Sequence, residues 1–228
     1  MKFALAAILL LWLTACSTPR YHYVPTTINA LPYAHAGEGH LGIAFGTVGI
    51  AVKGGIAVSD NININGYFGG MPESDNGYTS RESEFSVGVQ TNPGDNTVGS
   101  FSLGMGIGNN EKDKIGLSGN YNRPFFQAQF AAYDKPLFNS GVHFDGYIGL
   151  RVNYLDYNGL LSNKEFDDHL FFYEPYFGVA IGGRNVRLEI LQGFSVKNSG
   201  EWGDGVRVFP YFASVGLMVK LRKSPPGK

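Results

Sequence analysis

From residue 40 onward the chain alternates apolar and polar positions with a period of two, and clusters of Asn, Asp, Gly and Ser interrupt the alternation. That period belongs to β-strands, whose successive side chains point to opposite faces. The pattern predicts ten strands, over about 39–46, 49–58, 61–70, 82–91, 99–108, 121–133, 141–156, 170–181, 186–196 and 206–222. In the strand over 141–156, Val142, Phe144, Ile148, Leu150, Val152 and Tyr154 share one face, and His143, Asp145, Tyr147, Arg151 and Asn153 share the other. The expected fold is all-β: a closed, antiparallel, up-and-down barrel of ten strands, with eight as the alternative count because the first two strands are short.

A soluble barrel also alternates, so the second face decides. On a soluble barrel it meets water and is rich in Lys, Glu and Thr. Here it is mostly Gly, Ala, Ser, Asn and Gln with scattered charges, while the apolar face carries no charge in any strand core. This is the pattern of a transmembrane barrel, apolar outward and polar inward. Composition agrees: charged residues make up 16% of the chain against about 25% in typical soluble domains, and aromatic residues reach 14%. The net charge of -1 offers no electrostatic footprint for nucleic acid.

The N-terminus changes the picture of how the barrel is held. Lys2 precedes the apolar run from Ala4 to Leu13, which is too short to span a bilayer as a helix. It ends in Leu13-Thr14-Ala15-Cys16, which resembles the lipobox of bacterial lipoproteins, where the thiol takes a diacylglycerol and the new N-terminus is acylated, commonly with palmitate. The domain plan is therefore a lipoprotein signal peptide over 1–15, a lipidated tether over 16–38, the barrel over 39–222 and a tail over 223–228. Ser17, in place of Asp, favours the outer membrane. Cys16 is the only cysteine, so no disulfide forms within the chain.

A tether rooted in the inner leaflet puts the N-terminus in the periplasm. The long gaps at 71–81, 109–120, 157–169 and 197–205 then become extracellular loops. At the outer end of eight of the ten strands, the last lipid-facing residue is aromatic: Phe45, Phe68, Phe85, Phe126, Tyr154, Tyr173, Phe194 and Tyr211. Such a girdle suits a headgroup boundary.

Tyr23-Val24-Pro25-Thr26 with Asn29-Ala30, a glycine-rich hairpin leading into Ala57-Val58-Ser59-Asp60-Asn61-Ile62, and Tyr121-Asn122-Arg123-Pro124-Phe125-Phe126-Gln127 stand beside the lipobox. Together they resemble uncharacterised lipidated outer-membrane β-barrel proteins of Gram-negative bacteria. The resemblance implies a barrel in the outer membrane and no particular activity. The chain departs from many barrels in ending on Leu221-Arg222-Lys223-Ser224-Pro225-Pro226-Gly227-Lys228 and not on an aromatic residue.

Few constellations point to chemistry. Gly104-Met105-Gly106-Ile107-Gly108 lacks the third glycine spacing and the following helix of a dinucleotide fingerprint, and reads as glycines lining a narrow lumen. Ser102 lacks the second half of a nucleophile elbow. His143 with Asp145 reads as part of a lumen network. Asp167-Asp168-His169 reads as solvated loop charge, so no metal and no cofactor are expected. The inward charges Lys53, Arg123, Arg151, Arg187, Lys220 and Arg222 oppose Glu84, Asp145, Glu174 and Glu189, which predicts ion pairs filling a small bore. The leading expectation is a largely closed, non-enzymatic barrel. It would have a structural or surface-interaction role through its outer loops, meeting membrane lipid and an extracellular ligand or envelope protein. A narrow channel or lipid-handling barrel is the second reading. An outer-membrane lipid hydrolase or acyltransferase using His143 is the third.

Overall fold

The computed structural model describes residues 23–30, 32–47, 49–73, 77–94, 96–137, 141–197, 206 and 208–221. They form β1 (Gly39–Gly46), β2 (Gly49–Ala57), β3 (Ile62–Met71), β4 (Tyr78–Gly94), β5 (Thr97–Lys112), β6 (Leu117–Pro136), β7 (His143–Leu161), β8 (Lys164–Gly182), β9 (Val186–Phe194), β10 (Val196–Lys197) and β11 (Tyr211–Leu221). Neighbours in sequence pair antiparallel from β1 round to β9, and β9 pairs with β11. The ring closes where β1 meets β11, in register from Gly39↔Leu221 to Gly46↔Ser214. β10 continues β9 beyond Ser195 and pairs with β8 through Val196↔Tyr173, so the eleven segments make ten staves. Closure leaves no sheet edge, the condition for a sheet to stand in lipid.

The outward face matches the expected pattern. Leu41, Ile43, Phe45, Val87, Val89, Phe101, Leu103, Ile107, Ile148, Phe177, Leu188 and Leu217 are all exposed. On β7 the outward apolar run goes from Phe144 to Tyr154. Ten residues at about 3.3 Å each and a tilt near 45° give a band roughly 23 Å tall, close to the ~25 Å expected. Above it the outward residues become polar in register. Ser83, Asn122, Asp156 and His169 join Ile107 in one row across β4–β8, and Arg81, Asn109, Asn120, Asn158 and Asp167 make up the next.

These polar rows correct the expected loops. Residues 109–112 and 117–120 are paired strand, turned by a single 3-10 turn over Asp113–Ile115 with Gly116 at φ 59°. Within 157–169 only Ser162 and Asn163 form the turn, both left-handed at φ 51° and 65°, as a two-residue hairpin requires. Of 71–81, Met71 belongs to β3 and Tyr78, Thr79, Ser80 and Arg81 belong to β4. Apolar alternation stops at the upper edge of the exposed apolar band, but backbone pairing does not. The result is a stiff crown of β4–β8 hairpins, with a low rim along β9, β11, β1 and β2. Residues 198–205 lie outside the described residues.

The second correction concerns the tether. Residues 23–30 and 32–34 are buried within the lumen. A chain threaded through a barrel meets wall on all sides, so it carries no two-residue period. Pro25 and Pro32 favour an extended backbone there. Lumen glycines make room for rings. A Cβ at Gly119, Gly178 or Gly193 would come within 2.4 Å of the ring of Tyr157, 2.3 Å of that of Tyr147 and 2.2 Å of that of Phe212 respectively. The Gly104–Gly108 alternation serves the same end, with Phe125 lying over Gly104 and Tyr121 over Gly108.

Leu103, 69% exposed on the outer wall, should resist charge. Leu103→Arg is expected to cost about 2–4 kcal/mol, whereas Asn109→Arg, two outward rows nearer the crown tip than Met105, should cost under about 1 kcal/mol. Urea unfolding in phospholipid vesicles measures both, and equal costs would contradict a lipid-facing band.

Candidate functional site

The N-terminal segment runs down the bore and is bonded to the wall along its length. At the crown end Tyr23 bridges Val208 in parallel, and the Phe209 amide donates to the Tyr23 carbonyl at 2.9 Å. The Tyr23 ring meets Tyr121 edge-on at 5.2 Å. Thr26 donates its hydroxyl to Glu84 at 2.5 Å, and Lys53 donates to the Ile28 carbonyl at 3.2 Å. The Asn29 amide donates to the Gly54 carbonyl at 2.8 Å, and its oxygen lies 2.8 Å from His40 Nε2. At the turn end Tyr33 donates to Asn65 at 2.6 Å, Asn92 donates to the Ala34 carbonyl at 3.0 Å, and the Ala36 amide donates to Asp60 at 2.8 Å. Ile28 and Ala30 pack among Tyr147, Tyr176, Leu191 and Phe212. A buried extended backbone needs such partners, because its own groups have no sheet neighbour.

The inward charges form two clusters. In the crown-side cluster Arg123 pairs with Glu82 at 2.5 Å and with Glu84, and Arg151 pairs with Glu84 at 3.1 Å. Arg123 also donates to Asn153 at 2.6 Å, and Asn153 donates to Glu174 at 2.9 Å. Tyr121 donates to Glu82 at 2.7 Å, and the Arg151 guanidinium stacks over Phe125 at 4.3 Å. In the turn-side cluster Lys53 pairs with Glu189 at 2.5 Å, and Tyr147 also donates to Glu189. Asp145 joins Arg187 and, at 2.6 Å, Lys220, while Arg187 reaches Asp134 at 2.7 Å. Each charge is bonded on several sides, which is what makes ions tolerable in so dry a space.

The expected network is thus present for Lys53, Glu84, Arg123, Asp145, Arg151, Glu174, Arg187 and Glu189. His143 joins it at its edge, through Asp134, which also pairs with Arg187. Its ring sits at the mouth, 24% exposed, 2.9 Å from Asp134 and not with Asp145. Asp145 is already taken by Arg187 and Lys220. Arg222 lies outside the described residues, as do Cys16 and the whole signal segment. Sequence reading missed Glu82, which falls at the edge of an expected loop, and Asp134, whose φ of 53° marks a break in β6 pairing. It also missed Thr26, Asn29 and Tyr33, because nothing local marks a segment that leaves its neighbours to enter a lumen, and with them His40 of β1, whose partner is Asn29. The two-residue period could have found Glu82, since it shares the parity of Glu84.

All eight girdle aromatics face outward. Phe45, Phe68, Phe85, Phe126, Tyr173 and Phe194 are exposed. Tyr154 and Tyr211 are half-buried against Phe171 at 4.9 Å and Phe194 at 5.5 Å. On β4 and β7 the next outward residue above the ring is polar, Ser83 and Asp156.

Space inside the barrel is scarce. Between the threaded segment and the wall at Asn63, Ser102, Gln127 and Gln129 the free volume is about 10 Å³, room for about one water. A polar cavity of about 250 Å³ opens at the turn-side mouth, against Tyr33, His35, Glu38, His40, Asn96 and Lys220. On the outer wall Asp156, Asp167 and His169 bring one ligand atom each within 4.8 Å of one another and could hold a cation. Asp168 does not join them, since it turns inward and accepts the Val206 amide at 2.5 Å.

Removing Arg123 would leave Glu82 and Glu84 facing each other in a buried site. Arg123→Met is expected to destabilise the barrel by about 3–5 kcal/mol. The added change Glu82→Gln should recover part of that loss in the same unfolding assay. Failure of the second change to recover stability would show that the charge pairing does not carry the cost.

No protein-family model matches the chain, and no curated protein sequence matches it either. Among solved structures the chain is similar to the translocator domain of the autotransporter NalP from Neisseria meningitidis. The two are 14% identical over 86% of this chain and 90% of that chain, with a TM-score of 0.42.

Proposed function

We propose that the chain is an outer-membrane lipoprotein whose barrel is closed by its own N-terminal segment and which acts by surface interaction through its crown, without catalysis. The observation that carries this reading is the buried segment over residues 23–30 and 32–34, bonded to the wall at Thr26, Asn29, Tyr33 and Ala34, with a gap of about 10 Å³ beside Asn29 and Tyr33. A ten-strand barrel is wider than the eight-strand kind that side chains alone fill. Paired charges take up part of that width and the extended segment takes up the rest, which argues against a diffusion pore.

The apolar band, its aromatic border and the lipobox at Cys16 support the membrane and lipid parts of the reading. The crown supports the interaction part. Its outer wall carries a groove of about 420 Å³ beside Arg81, Ser83, Asn109, Asn120 and Asn122, just above the apolar band. Rigid paired strands present these side chains at lower entropic cost than flexible loops would.

Reconstituted in a planar bilayer, the protein is expected to pass no steady current. Large, steady conductance of the size of a general porin would refute the closed bore. Metabolic labelling with a radioactive fatty acid should mark the wild type and leave Cys16→Ala unmarked. Label retained by the variant would remove the lipoprotein reading. Turnover of phospholipid or lipopolysaccharide that vanishes in His143→Ala would overturn the non-enzymatic one.

A further inference from the structure

The threaded segment has a direction, and the direction bears on where the lipid goes. Tyr23 lies at the crown end, against Val208, Tyr121 and Phe172. Tyr33 to Ala36 lie at the opposite end, bonded to Asn65, Asn92 and Asp60. The chain therefore enters the bore at the crown and leaves it at the turns before β1 starts upward from Gly39. We infer that the acyl chains on Cys16 insert in the leaflet on the crown side of the barrel, the cell-surface leaflet, and not in the periplasmic leaflet where a lipoprotein tether would ordinarily be rooted. This rests on the lipoprotein reading proposed above.

Two lengths support it. Cys16 precedes Tyr23 by seven residues, which reach at most about 25 Å when fully extended. From the level of Phe172, beside Tyr23, down β8 to Gly182 is ten residues, or roughly 23–25 Å along the barrel axis at strand rise and tilt. The arm would need all of its length merely to regain the turn end, with nothing left to cross the rim. The way back is also filled: Tyr23 is 1% exposed, Ile28 is fully buried, and the gap beside Asn29 and Ala30 holds about one water. Passage through the wall is excluded, since unpaired backbone does not cross lipid.

On the crown side the route is short. Among the described residues the paired strands run high over β4–β8 and end lower over β9, β11, β1 and β2. There Phe45, Phe194 and Tyr211 stand within a residue or two of the strand ends. Val208 and Phe209, which hold Tyr23, lead directly into β11 on that low side. An arm leaving Tyr23 can step over this rim to the headgroup level within its reach. The crown is the outer end because barrels of this kind keep their tight turns in the periplasm and their longer projections outside.

The test uses the full chain expressed in its membrane, with a short epitope inserted at one of three places: after Thr18 in the arm, after Lys114 at the crown tip, or after Gly183 in the turn between β8 and β9. Antibody on intact cells should detect the arm and crown epitopes, and should detect the turn epitope only after the outer membrane is permeabilised. An arm epitope hidden on intact cells while the crown epitope is seen would overturn the inference. So would a turn epitope seen on intact cells with the other two hidden, which would mean an inverted barrel. Fatty-acid labelling of the same arm variant separates the two readings. An exposed arm without acyl label would remove the anchor, and with it this inference, while leaving the direction of threading intact.

Discussion

In a bilayer, a strand has nowhere to place its backbone N–H and C=O groups except on another strand. That demand closes the sheet of this protein at β1 and β11, and the rest of the structure follows from the ring it makes. Ten staves fix a bore wider than wall side chains fill. Inward wall side chains such as Phe125, Tyr147, Tyr176, Leu191 and Phe212 fill part of that bore, and paired charges fill more of it. The protein supplies the missing volume from its own N-terminal segment, and the inward polar groups become that segment's hydrogen-bonding partners.

The electrostatics of the lumen obey the same constraint. Arg123 touches Glu82, Glu84, Asn153 and Thr26, so one guanidinium joins three strands and the threaded segment. Such a charge is expensive to bury and expensive to leave alone, and it is stable only in a finished network. The Arg123 cluster and the Arg187–Asp145–Lys220 cluster lie toward opposite ends, with the aromatic packing around Ile28 and Ala30 among the groups that fill the bore. Closure, packing and charge pairing therefore form one cooperative unit rather than three independent contributions. Opening the bore would require breaking all three at once.

Much of this was legible in the residues. The two-residue period identified ten staves, because the membrane imposes one uniform solvent on one face of every strand. The outward facing of the aromatic residues from Phe45 to Tyr211 was legible from the strand parity of each residue. Glycines such as Gly104 and Gly108 were legible as lumen positions by parity alone, although the rings lying over them were not. The strands stopped being legible at Asn109, Asn158 and Asp167, where the outward residues turn from apolar to polar. Hydropathy there reports the solvent and no longer the backbone, so paired strands looked like loops.

What the sequence by itself determined is therefore the set of properties fixed by local period and local solvent: strand class, inward and outward faces, the height of the apolar band and the residue types available to the lumen. Only the tertiary structure decided which of those residues meet. Asp145 joins Arg187 and Lys220 in place of His143 because of ring closure and strand register, both of them long-range. Residues 23–34 read as a tether because their partners lie as far along the chain as Asn92, Gln127 and Val208. No local pattern encodes a segment whose surroundings exist only after the barrel has closed around it.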